Sequence, residues 1–580
     1  MKHIYVSIAA IFLLMSMVSC LNETDQTGFE PAIPAISFDG DTIRVSRQGG
    51  DQTVVINSNL PWRVRSSASW ISFPVGNGLE GGEVVFNVQR NRGRQERYAL
   101  LTAWITEESL DTLYIIQEPA DVSESVTYHV KTDGDGLASG TSWEEATTLP
   151  TAIDAAADGD VILLAAGTYS PVALINGGET EEEKTFDIHS NFTMEGGYPA
   201  DAVTGAVADP DNNETILSGI IGETQAYHVV VVSAQKSETH KVVLKNLTIR
   251  DGKGYDVNKV IYRNSGGVNF DAGEGAGMSI GASIVEMTNC IITANEGAYA
   301  GGCIIADGAD VVFSQCVISD NTVTGNGGGV WNEGSVTMYD CTVANNKAGL
   351  ACAGYYGVGG RSRIYNSSFT GNDNMKGGKL GGGAYLREGN SRGADAIFVN
   401  CTFAENKSAS GGGLACYGTS AVGASVCLVS CTITDNEAAH GGGVWMNNAT
   451  PTLKLHNCIL SGNNTDLEYG GTVMATEAQV TKRISVVGSG LVGAEGEAIS
   501  GWSFNAAAML GTLDYWNGSL TRSCPLVAGA DNPAVSNGMT AEELSALAAT
   551  LDGVEAEYVL KDQNGTERIV NSIGSVVSGN

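Results

Sequence analysis

The stretch VNCTFAENKSASGGGLACYG, residues 399–418, combines two cysteines, two asparagines and three consecutive glycines. Its first part, NCTFAEN, recurs along the chain. The related segments are NCIITAN at 289–295, QCVISDN at 315–321, DCTVANN at 340–346, NSSFTGN at 366–372, SCTITDN at 430–436 and NCILSGN at 457–463, with NLTIRDG at 246–252 as a weaker member. The cysteine positions are spaced by 26, 25, 26, 34, 30 and 27 residues. Units this short cannot each bury a core, so the repeat predicts a solenoid of stacked coils.

The cysteine of each unit shares a strand face with the apolar residue two positions later, as Cys401 does with Phe403. Alternation places both side chains inside the coil, and stacking forms a column with a spacing of about 4.8 Å. The column contains Cys290, Cys316, Cys341, Ser367, Cys401, Cys431 and Cys458. Parallel Cβ vectors do not suit a disulfide, and ligands in a column do not converge on a metal. We therefore expect buried reduced thiols and no metal site, with disulfides as the alternative.

Asparagines and glycines form further columns at the turns. The asparagines are Asn295, Asn321, Asn346, Asn372, Asn406, Asn436 and Asn463. Asparagine tolerates left-handed backbone, and its amide can bond the backbone of the next coil. Glycine runs such as GGGLA at 411–415 precede the next strand in most coils. A phosphate-binding glycine loop occurs once, before a helix and with a lysine, so these runs are turns instead.

Composition and charge limit the partners of the chain. Gly makes up 75 of the 580 residues and Pro only 12, which fits many strands and tight turns. The net charge is −33. Residues 35–120 are close to balance with eight Arg and ten acids, whereas residues 121–580 contain 23 Lys and Arg against 52 Asp and Glu. Such an acidic surface repels nucleic acid and anionic membranes, so we expect no nucleic-acid partner.

An apolar run at 4–18 ends just before Cys20 and is too short to span a bilayer comfortably. The small and apolar residues before Cys20 resemble a bacterial lipobox, with Met17 in place of the usual Leu, and the acids that follow resemble the surface-export signal of Bacteroidetes lipoproteins. The resemblance implies a lipoprotein signal peptide at 1–19 and a tether at 20–34, lipidated on Cys20. The protein would then be a surface-exposed outer-membrane lipoprotein; a cleaved signal with a free cysteine is the alternative.

Residues 35–120 alternate apolar and polar residues in TIRVS, QTVVIN, WRVRS, EVVFNVQ, ALLTAWI and LYIIQ, which predicts a small antiparallel β-sandwich. The segments LPWRVRSSASWISF, VQRNRGRQERYALLTAW and LYIIQEPA resemble the BACON domain of Bacteroidetes surface proteins. The matching residues are Trp62, Trp70, Asn91, Arg97 and Gln117. The resemblance implies a module found beside carbohydrate-active or adhesive domains, either a spacer or a glycan binder. For Trp62 and Trp70, core packing and glycan stacking are the two interpretations.

The segment GTSWEEATTLPTAIDAAADGDVILLAAGTY, residues 140–169, predicts a helix followed by a strand. Thr141 or Ser142 would cap the helix, with Glu144 and Glu145 in its first turn. This pattern resembles the N-terminal cap of a right-handed parallel β-helix of the pectin-lyase-like type, in which the helix covers the open end of the solenoid.

The repeats over about 285–465 resemble those of polymorphic outer-membrane proteins, in GGGAY, FTGN and FAEN. The resemblance implies a surface adhesin. The tail DQNGTERIVNSIGSVV resembles the closing motif of anchored β-helix proteins and implies a C-terminal cap at 501–580. The sequence thus predicts an all-β chain, with a BACON-like β-sandwich and a right-handed parallel β-helix at 128–500 that carries an N-terminal capping helix.

Three groups of residues are candidates for chemistry. Glu405 and Asp435 precede the column asparagine in adjacent coils, which suits a carboxylate pair or a weak Ca²⁺ site, although two solvated turn acids are the simpler interpretation. His440 precedes a glycine run but varies between coils. We therefore expect no cofactor, and Ca²⁺ has no support beyond this pair. A basic cluster in the longest unit suits an anionic sugar, or is an ordinary basic face; it contains Arg361, Arg363, Lys376, Lys379, Arg387 and Arg392.

Trp331, Tyr385 and Trp445 follow inward-pointing residues, so alternation points their rings outward. They come from every second coil, roughly 9–10 Å apart. A ladder of exposed rings suits sugar stacking, whereas covering loops would make it a secondary core.

The sequence favours a cell-surface lipoprotein whose β-helix binds glycan or a host or microbial surface without catalysis. The alternatives are a polysaccharide lyase or glycoside hydrolase acting on an acidic glycan, and a structural stalk.

Overall fold

The computed structural model describes residues 32–68, 70–91, 96–119, 125–255, 262–374, 380–389, 391–419, 421–516, 519–529, 531–568 and 571–576. The expected signal peptide and Cys20, and Lys376 and Lys379 of the basic cluster, lie outside these residues. The chain divides into two compact units near residue 118. In the part of the chain that is described, no helix has the length and apolar character needed to cross a bilayer.

The N-terminal unit is a sandwich of two sheets, and alternating apolar residues from both fill the space between them. The four-stranded sheet has the order Ile36–Phe38, Gly50–Ser58, Gly82–Val88, Ile71–Ser72. The five-stranded sheet has the order Thr42–Val45, Leu110–Gln117, Arg97–Trp104, Trp62–Ser66, Asn77–Gly78. Pairing is antiparallel except between Thr42–Val45 and Leu110–Gln117.

The residues behind the BACON resemblance are structural in this unit. Trp62 is buried and donates its Nε1–H to a backbone carbonyl at 2.9 Å. The Arg97 guanidinium lies 4.3 Å from the centroid of the half-buried Trp70 ring and donates to Gln117 Oε1 at 2.8 Å. The Asn91 side chain donates to the backbone beside Gln117 at 2.9 Å. Packing therefore accounts for both tryptophans.

The second unit is a parallel β-helix in which each coil contributes one strand to three long sheets, which we call faces A, B and C. Face A consists of Thr127–Val130, Val161–Ala165, Thr193–Tyr198, Val242–Lys245, Ile284–Thr288, Asp310–Ser314, Ser335–Tyr339, Arg361–Tyr365, Asp395–Val399, Ser425–Val429, Thr452–His456 and Val480–Arg483. Face B consists of Gly167–Tyr169, Thr215–Ser218, Thr248–Arg250, Ile291–Thr293, Val317–Ser319, Thr342–Ala344, Ser368–Thr370, Thr402–Ala404, Thr432–Thr434, Ile459–Leu460 and Ser485–Val487, followed by antiparallel Gly490–Val492 and Ala498–Ile499. Face C consists of Phe186–Ile188, Val230–Val232, Met278–Ile280, Cys303–Ile305, Val330–Asn332, Tyr355–Val358, Ala384–Arg387, Leu414–Tyr417, Val444–Asn447 and Leu467–Gly470.

Short strands and helices complete the unit. The short strands at the corners are Glu296–Gly297, Thr322–Val323, Lys347–Ala348, Lys407–Ser410 and Glu437–His440. The hairpins pair Ile220–Ile221 with Thr224–Gln225, Tyr262–Ser265 with Val268–Asp271, and Asp514–Tyr515 with Arg522–Ser523. The α-helices are Leu149–Ala155, Ala506–Met509, Ala541–Ala548 and Ala556–Leu560, and the 3₁₀ helices are Glu181–Glu183, Glu477–Gln479 and Pro533–Val535.

The capping helix is shorter than the sequence suggested. It begins at Leu149 after Thr148, with Pro150 in its first turn, so the expected cap at Thr141 or Ser142 is wrong. The carboxylate expected in the first turn, Glu144, instead accepts hydrogen bonds from a loop 60 residues away. The helix still buries its apolar side against the first strands of the β-helix, as expected.

The cysteine column is confirmed as a stack of buried, unpaired thiols. Cys401 and Cys431 each donate Sγ–H to the carbonyl two residues earlier, at 3.3 Å and 3.5 Å. Ser367 makes the same bond at 2.7 Å, which explains why serine replaces cysteine there. Burial raises the pKa of Cys458 well above its ordinary value, so the thiol stays neutral.

The asparagine column is a continuous hydrogen-bond ladder. The backbone N–H and side-chain Nδ2 of Asn346 both donate to Asn372 Oδ1, at 3.1 Å and 3.0 Å. The same Nδ2 also donates to the Ile318 carbonyl at 2.9 Å. This pattern joins Asn295, Asn321, Asn346, Asn372, Asn406, Asn436 and Asn463, and the carboxylate of Asp466 accepts the last bonds. The left-handed residue is the one before each asparagine, for example Asn345 at φ 55°, and not the asparagine itself.

The segment after residue 500 runs along the side of the solenoid, whereas the sequence suggested a cap on its end. Tyr558 packs 4.6 Å from the Tyr365 ring on face A. Arg568 donates to the Asn400 side chain at 3.1 Å, and Thr402 on face B donates to Gln563 at 2.6 Å. Faces A and B are thus covered over several coils on their outer sides.

Replacing Asn346 with Ala is expected to destabilise the β-helix by about 2–4 kcal/mol, because it leaves the Asn321 donors and the Ile318 carbonyl buried without partners. Urea unfolding followed by far-UV circular dichroism measures the loss. Asn212→Ala, at an exposed loop asparagine, is the control. Equal effects of the two substitutions would contradict a stabilising ladder.

Candidate functional site on the outer side of face C

The register of face C places one outward-pointing residue of each coil in a single row. In order, the row contains Ile304, Trp331, Tyr356, Tyr385, Ala415, Trp445 and Glu468. The three aromatic residues expected from the sequence are therefore aligned, and Tyr356 joins them. Alternation along the pleated strands explains the alignment, because the preceding residue of each strand points into the core.

Exposure divides this row into two kinds of ring. Trp331 and Trp445 are half-buried, whereas Tyr356 and Tyr385 are each only 3% exposed. Cys352 and Leu380 pack with the tyrosines in a secondary apolar cluster. The expectation that Tyr385 presents an open ring is therefore wrong, since side chains from the turns cover it.

The buried tyrosines form a stack that packs against Trp331. Trp331 packs edge-on against Tyr356 with centroids 4.9 Å apart, and Tyr356 stacks on Tyr385 at 5.2 Å. Tyr417 meets Tyr385 edge-on at 6.3 Å. The Trp331 Nε1–H donates to Glu333 Oε1 at 3.1 Å, which fixes the orientation of the indole. The row is therefore a rigid, partly open aromatic surface.

Arg387 is the basic residue of the expected cluster that lies on this surface. Its guanidinium lies 5.6 Å from the Tyr417 ring centroid and donates to the Glu388 carboxylate at 3.0 Å. About a third of its side chain stays exposed. A guanidinium beside aromatic rings can donate to sugar hydroxyls or to a carboxylate.

The other described members of the basic cluster lie elsewhere and are paired with acids. Arg361 and Arg363 lie on face A, and Arg363 bonds Asp395 at 2.7 Å. Both also contact Asp552 of the covering C-terminal segment, at 3.1 Å and 3.6 Å. Arg392 pairs with a separate aspartate at 2.7 Å. A single basic patch over these four described arginines is therefore not formed.

Glu405 and Asp435 both occupy left-handed turn positions, with φ of 59° and 55°. Burial, with the neighbouring Glu405 charge adding to it, raises the pKa of Asp435. Arg522 from the C-terminal segment lies 3.6 Å from Glu405 and offsets this charge. Within the described ranges, no group of three or more His, Cys, Asp and Glu side chains is arranged to hold a metal ion.

His440 forms an exposed pair with Glu468 at 2.9 Å.

Glu274 is a residue that the repeat pattern did not single out. It pairs through the backbone with Tyr299, whose ring lies 5.9 Å from Trp331. Burial, reinforced by the charges of Asp271 and Glu333, raises the pKa of Glu274 to about 7. A carboxyl near the aromatic row whose pKa lies close to neutral pH is partly protonated there and can donate a proton. The only signal in the sequence was an acid in a glycine-rich turn, which is not specific.

A family model described as "Right handed beta helix region" matches residues 229–458. The fold is a right-handed parallel β-helix. No curated protein matches the chain.

Several solved structures resemble the chain. A pectate lyase, Pel9A, is 13% identical over 72% of this chain and 93% of its own, with a TM-score of 0.40. A rhamnogalacturonan lyase is 13% identical over 62% and 87%, with a TM-score of 0.31. A pectin methylesterase from Aspergillus niger is 14% identical over 67% and 94%, with a TM-score of 0.24. At these identities and TM-scores the likenesses carry no argument about activity.

The stability of the β-helix is expected to fall between about pH 4.5 and pH 7 through Glu274. Because the pKa of this carboxyl is raised by folding, the folded chain binds more protons than the unfolded chain in this interval, and stability decreases as pH rises. Glu274→Gln should remove about 2 kcal/mol of this decrease.

Urea unfolding at pH 5 and pH 8 measures the difference between wild type and variant. Glu296→Gln, at an exposed acid, is the matched control. The same pH dependence in wild type and Glu274→Gln would contradict the assignment.

Proposed function

We propose that this chain is a lipid-anchored surface protein whose β-helix binds a glycan along the outer side of face C without transforming it. The observation that carries the proposal is the placement of the half-buried, partly accessible rings of Trp331 and Trp445 in one outward row, with Trp331 packed against buried Tyr356 and Tyr356 against Tyr385.

The spacing of the two tryptophans suits an extended ligand. They are separated by four strand steps of face C, which corresponds to roughly 19 Å at about 4.8 Å a step. A single sugar ring cannot contact both residues, whereas a chain of sugars laid across the strands can. Tyr417 and Arg387 lie between them and supply a ring and a hydrogen-bond donor.

Rigidity supports binding by these residues. Trp331 and its neighbours are packed before any ligand arrives, so few side chains lose freedom on association. Sugar stacking needs flat rings at fixed positions, and the face C strands supply them. The flanking acids Glu333 and Glu468 can accept hydrogen bonds from sugar hydroxyls.

The remaining parts of the proposal concern location and the N-terminal unit. Lipidation of Cys20 would hold the protein at the outer membrane surface. The BACON-like unit would then act as a spacer, because Trp62 and Trp70 are committed to packing in it.

Trp331→Ala and Trp445→Ala are each expected to weaken glycan binding about tenfold, because each removes a stacking surface. A glycan array with residues 21–580 identifies a ligand, and calorimetry measures the affinity. Trp502→Ala, at an exposed tryptophan outside face C, is the matched control. Absence of any bound glycan, or equal affinity of the three variants for it, would refute the proposal. A structural stalk would then be the remaining non-catalytic interpretation.

A glycoside hydrolase is the second candidate, favoured by the raised pKa of Glu274 at the Trp331 end of the row. A protonated carboxyl there can act as the general acid of glycosidic cleavage. Release of reducing ends from a polysaccharide panel, lost in Glu274→Gln and kept in Glu296→Gln, would establish this activity. Unsaturated ends that depend on Arg387 would instead indicate a lyase.

A further inference from the structure

The five-stranded sheet of the N-terminal unit has an outer side that is unusually apolar. Its outward positions on two neighbouring strands carry Tyr98, Leu100, Trp104, Leu110, Tyr114 and Ile116, with one polar pair, Thr102 and Thr112, between them. The register pairs them directly across the strands, Tyr98 with Ile116, Leu100 with Tyr114 and Trp104 with Leu110. We call the surface that these six residues form the aromatic platform.

Several residues of the platform are exposed to solvent. Tyr98 is 62% exposed, Tyr114 56% and Leu110 50%. The outer side of an antiparallel sheet is ordinarily polar. The opposite sheet follows that rule, because its outward positions include Asp51 and Glu83. The apolar character therefore belongs to one side of the sandwich only.

Arginines border the platform. Arg63 pairs in register with Trp104, and the Arg65 guanidinium lies 5.5 Å from the Trp104 ring centroid. Among the described residues, neither Arg63 nor Arg65 forms an ion pair, and both are exposed. Arg44 pairs with Glu96 at 3.2 Å, and Tyr98 donates to the same carboxylate. The surface thus joins aromatic rings with two exposed arginines, Arg63 and Arg65, that form no ion pair with a described residue.

We propose that the aromatic platform rests on the anionic lipid surface that holds the N-terminus, an inference that depends on the proposed lipid anchor. Cys20 precedes the first strand, at Ile36, by 16 residues, so the unit stays within about 60 Å of an acylated Cys20. Tryptophan and tyrosine prefer the interface between lipid and water, and arginine is attracted to anionic headgroups.

The charge of the chain agrees with this assignment. The acidic excess lies in residues 121–580, whereas residues 35–120 carry eight Arg against ten acids. Repulsion from an anionic surface therefore acts on the β-helix unit and spares the platform. Anchoring raises the local concentration of the platform at the lipid, so even weak contacts orient the unit.

Tryptophan quenching by brominated lipid tests the contact. Residues 21–580 with an N-terminal hexahistidine tag are bound through nickel-chelating lipid to vesicles of phosphatidylcholine and phosphatidylglycerol, made with or without brominated phosphatidylcholine. The chain has eight tryptophans, and Trp104 is the one on the platform. Brominated lipid is expected to reduce the emission of wild type but not of Trp104→Phe.

Charge reversal provides the second arm. Arg63→Glu with Arg65→Glu should reduce the quenching at least about fivefold, since each arginine near an anionic surface favours contact by about this factor. Val85→Ser, at an exposed position on the opposite sheet, should leave it unchanged. Quenching that persists in Trp104→Phe, or that is insensitive to the arginine reversal, would overturn the proposal.

Acylation is tested separately, by fatty-acid labelling of the full chain and of Cys20→Ser. The nickel-chelating lipid replaces the natural anchor in the quenching experiment. A failure of acylation and a failure of the platform to contact lipid are therefore distinct results, and neither depends on glycan binding by face C.

Discussion

The asparagine ladder is the interaction on which the β-helix depends. Each amide lies at the corner between faces B and C, and, as Asn346 shows, its nitrogen and oxygen bind backbone or side-chain groups of the coil before and the coil after. A buried amide without partners is costly, so each coil must present the next asparagine at the same height. The coils are thus locked to each other at one corner.

The asparagine ladder explains how the repeats differ in length while their strands stay in register. The longest repeat, from Ser367 to Cys401, contains 34 residues, yet the ladder bond from Asn372 to Asn406 is as short as the others, at 2.9 Å. The extra residues lie both before the face C strand Ala384–Arg387 and between that strand and the face A strand Asp395–Val399. Additional chain between strands is tolerated because lengthening a loop costs little free energy when the strands keep their register.

The outward-pointing residues of each face determine whether another segment covers it or leaves it accessible to a ligand. On faces A and B, the C-terminal segment covers the rings of Tyr339 and Tyr365 and bonds the hydroxyl of Thr402. On face C, local turns bury Tyr356 and Tyr385 but leave Trp331 and Trp445 partly open. A ligand laid along the solenoid therefore meets accessible aromatic rings on face C.

The residues that point into the β-helix core could be predicted from the sequence. Period and alternation fix Cys401, Phe403 and Asn406 without knowledge of any distant residue, because each depends only on its own strand and the coils beside it. The features that the sequence missed are long-range. Glu144 binds a loop 60 residues later instead of joining the helix, and the raised pKa of Glu274 depends on burial in the folded chain.

Outward-pointing apolar residues show most clearly what the sequence cannot predict. The alternation of apolar and polar residues does not distinguish a ring that another segment covers from a ring that is exposed to solvent. Tyr365 and Tyr114 both point away from a core on regular strands. Tyr365 is 2% exposed under Tyr558, whereas Tyr114 is 56% exposed. The difference lies in the surroundings: the covered tyrosine meets a segment nearly 200 residues later in the chain. The open one lies on a surface that arginines border and that no described residue of its own unit covers. An apolar surface of this kind is stable in water only at a cost, so its retention beside positive charge favours an external partner that is both apolar and anionic.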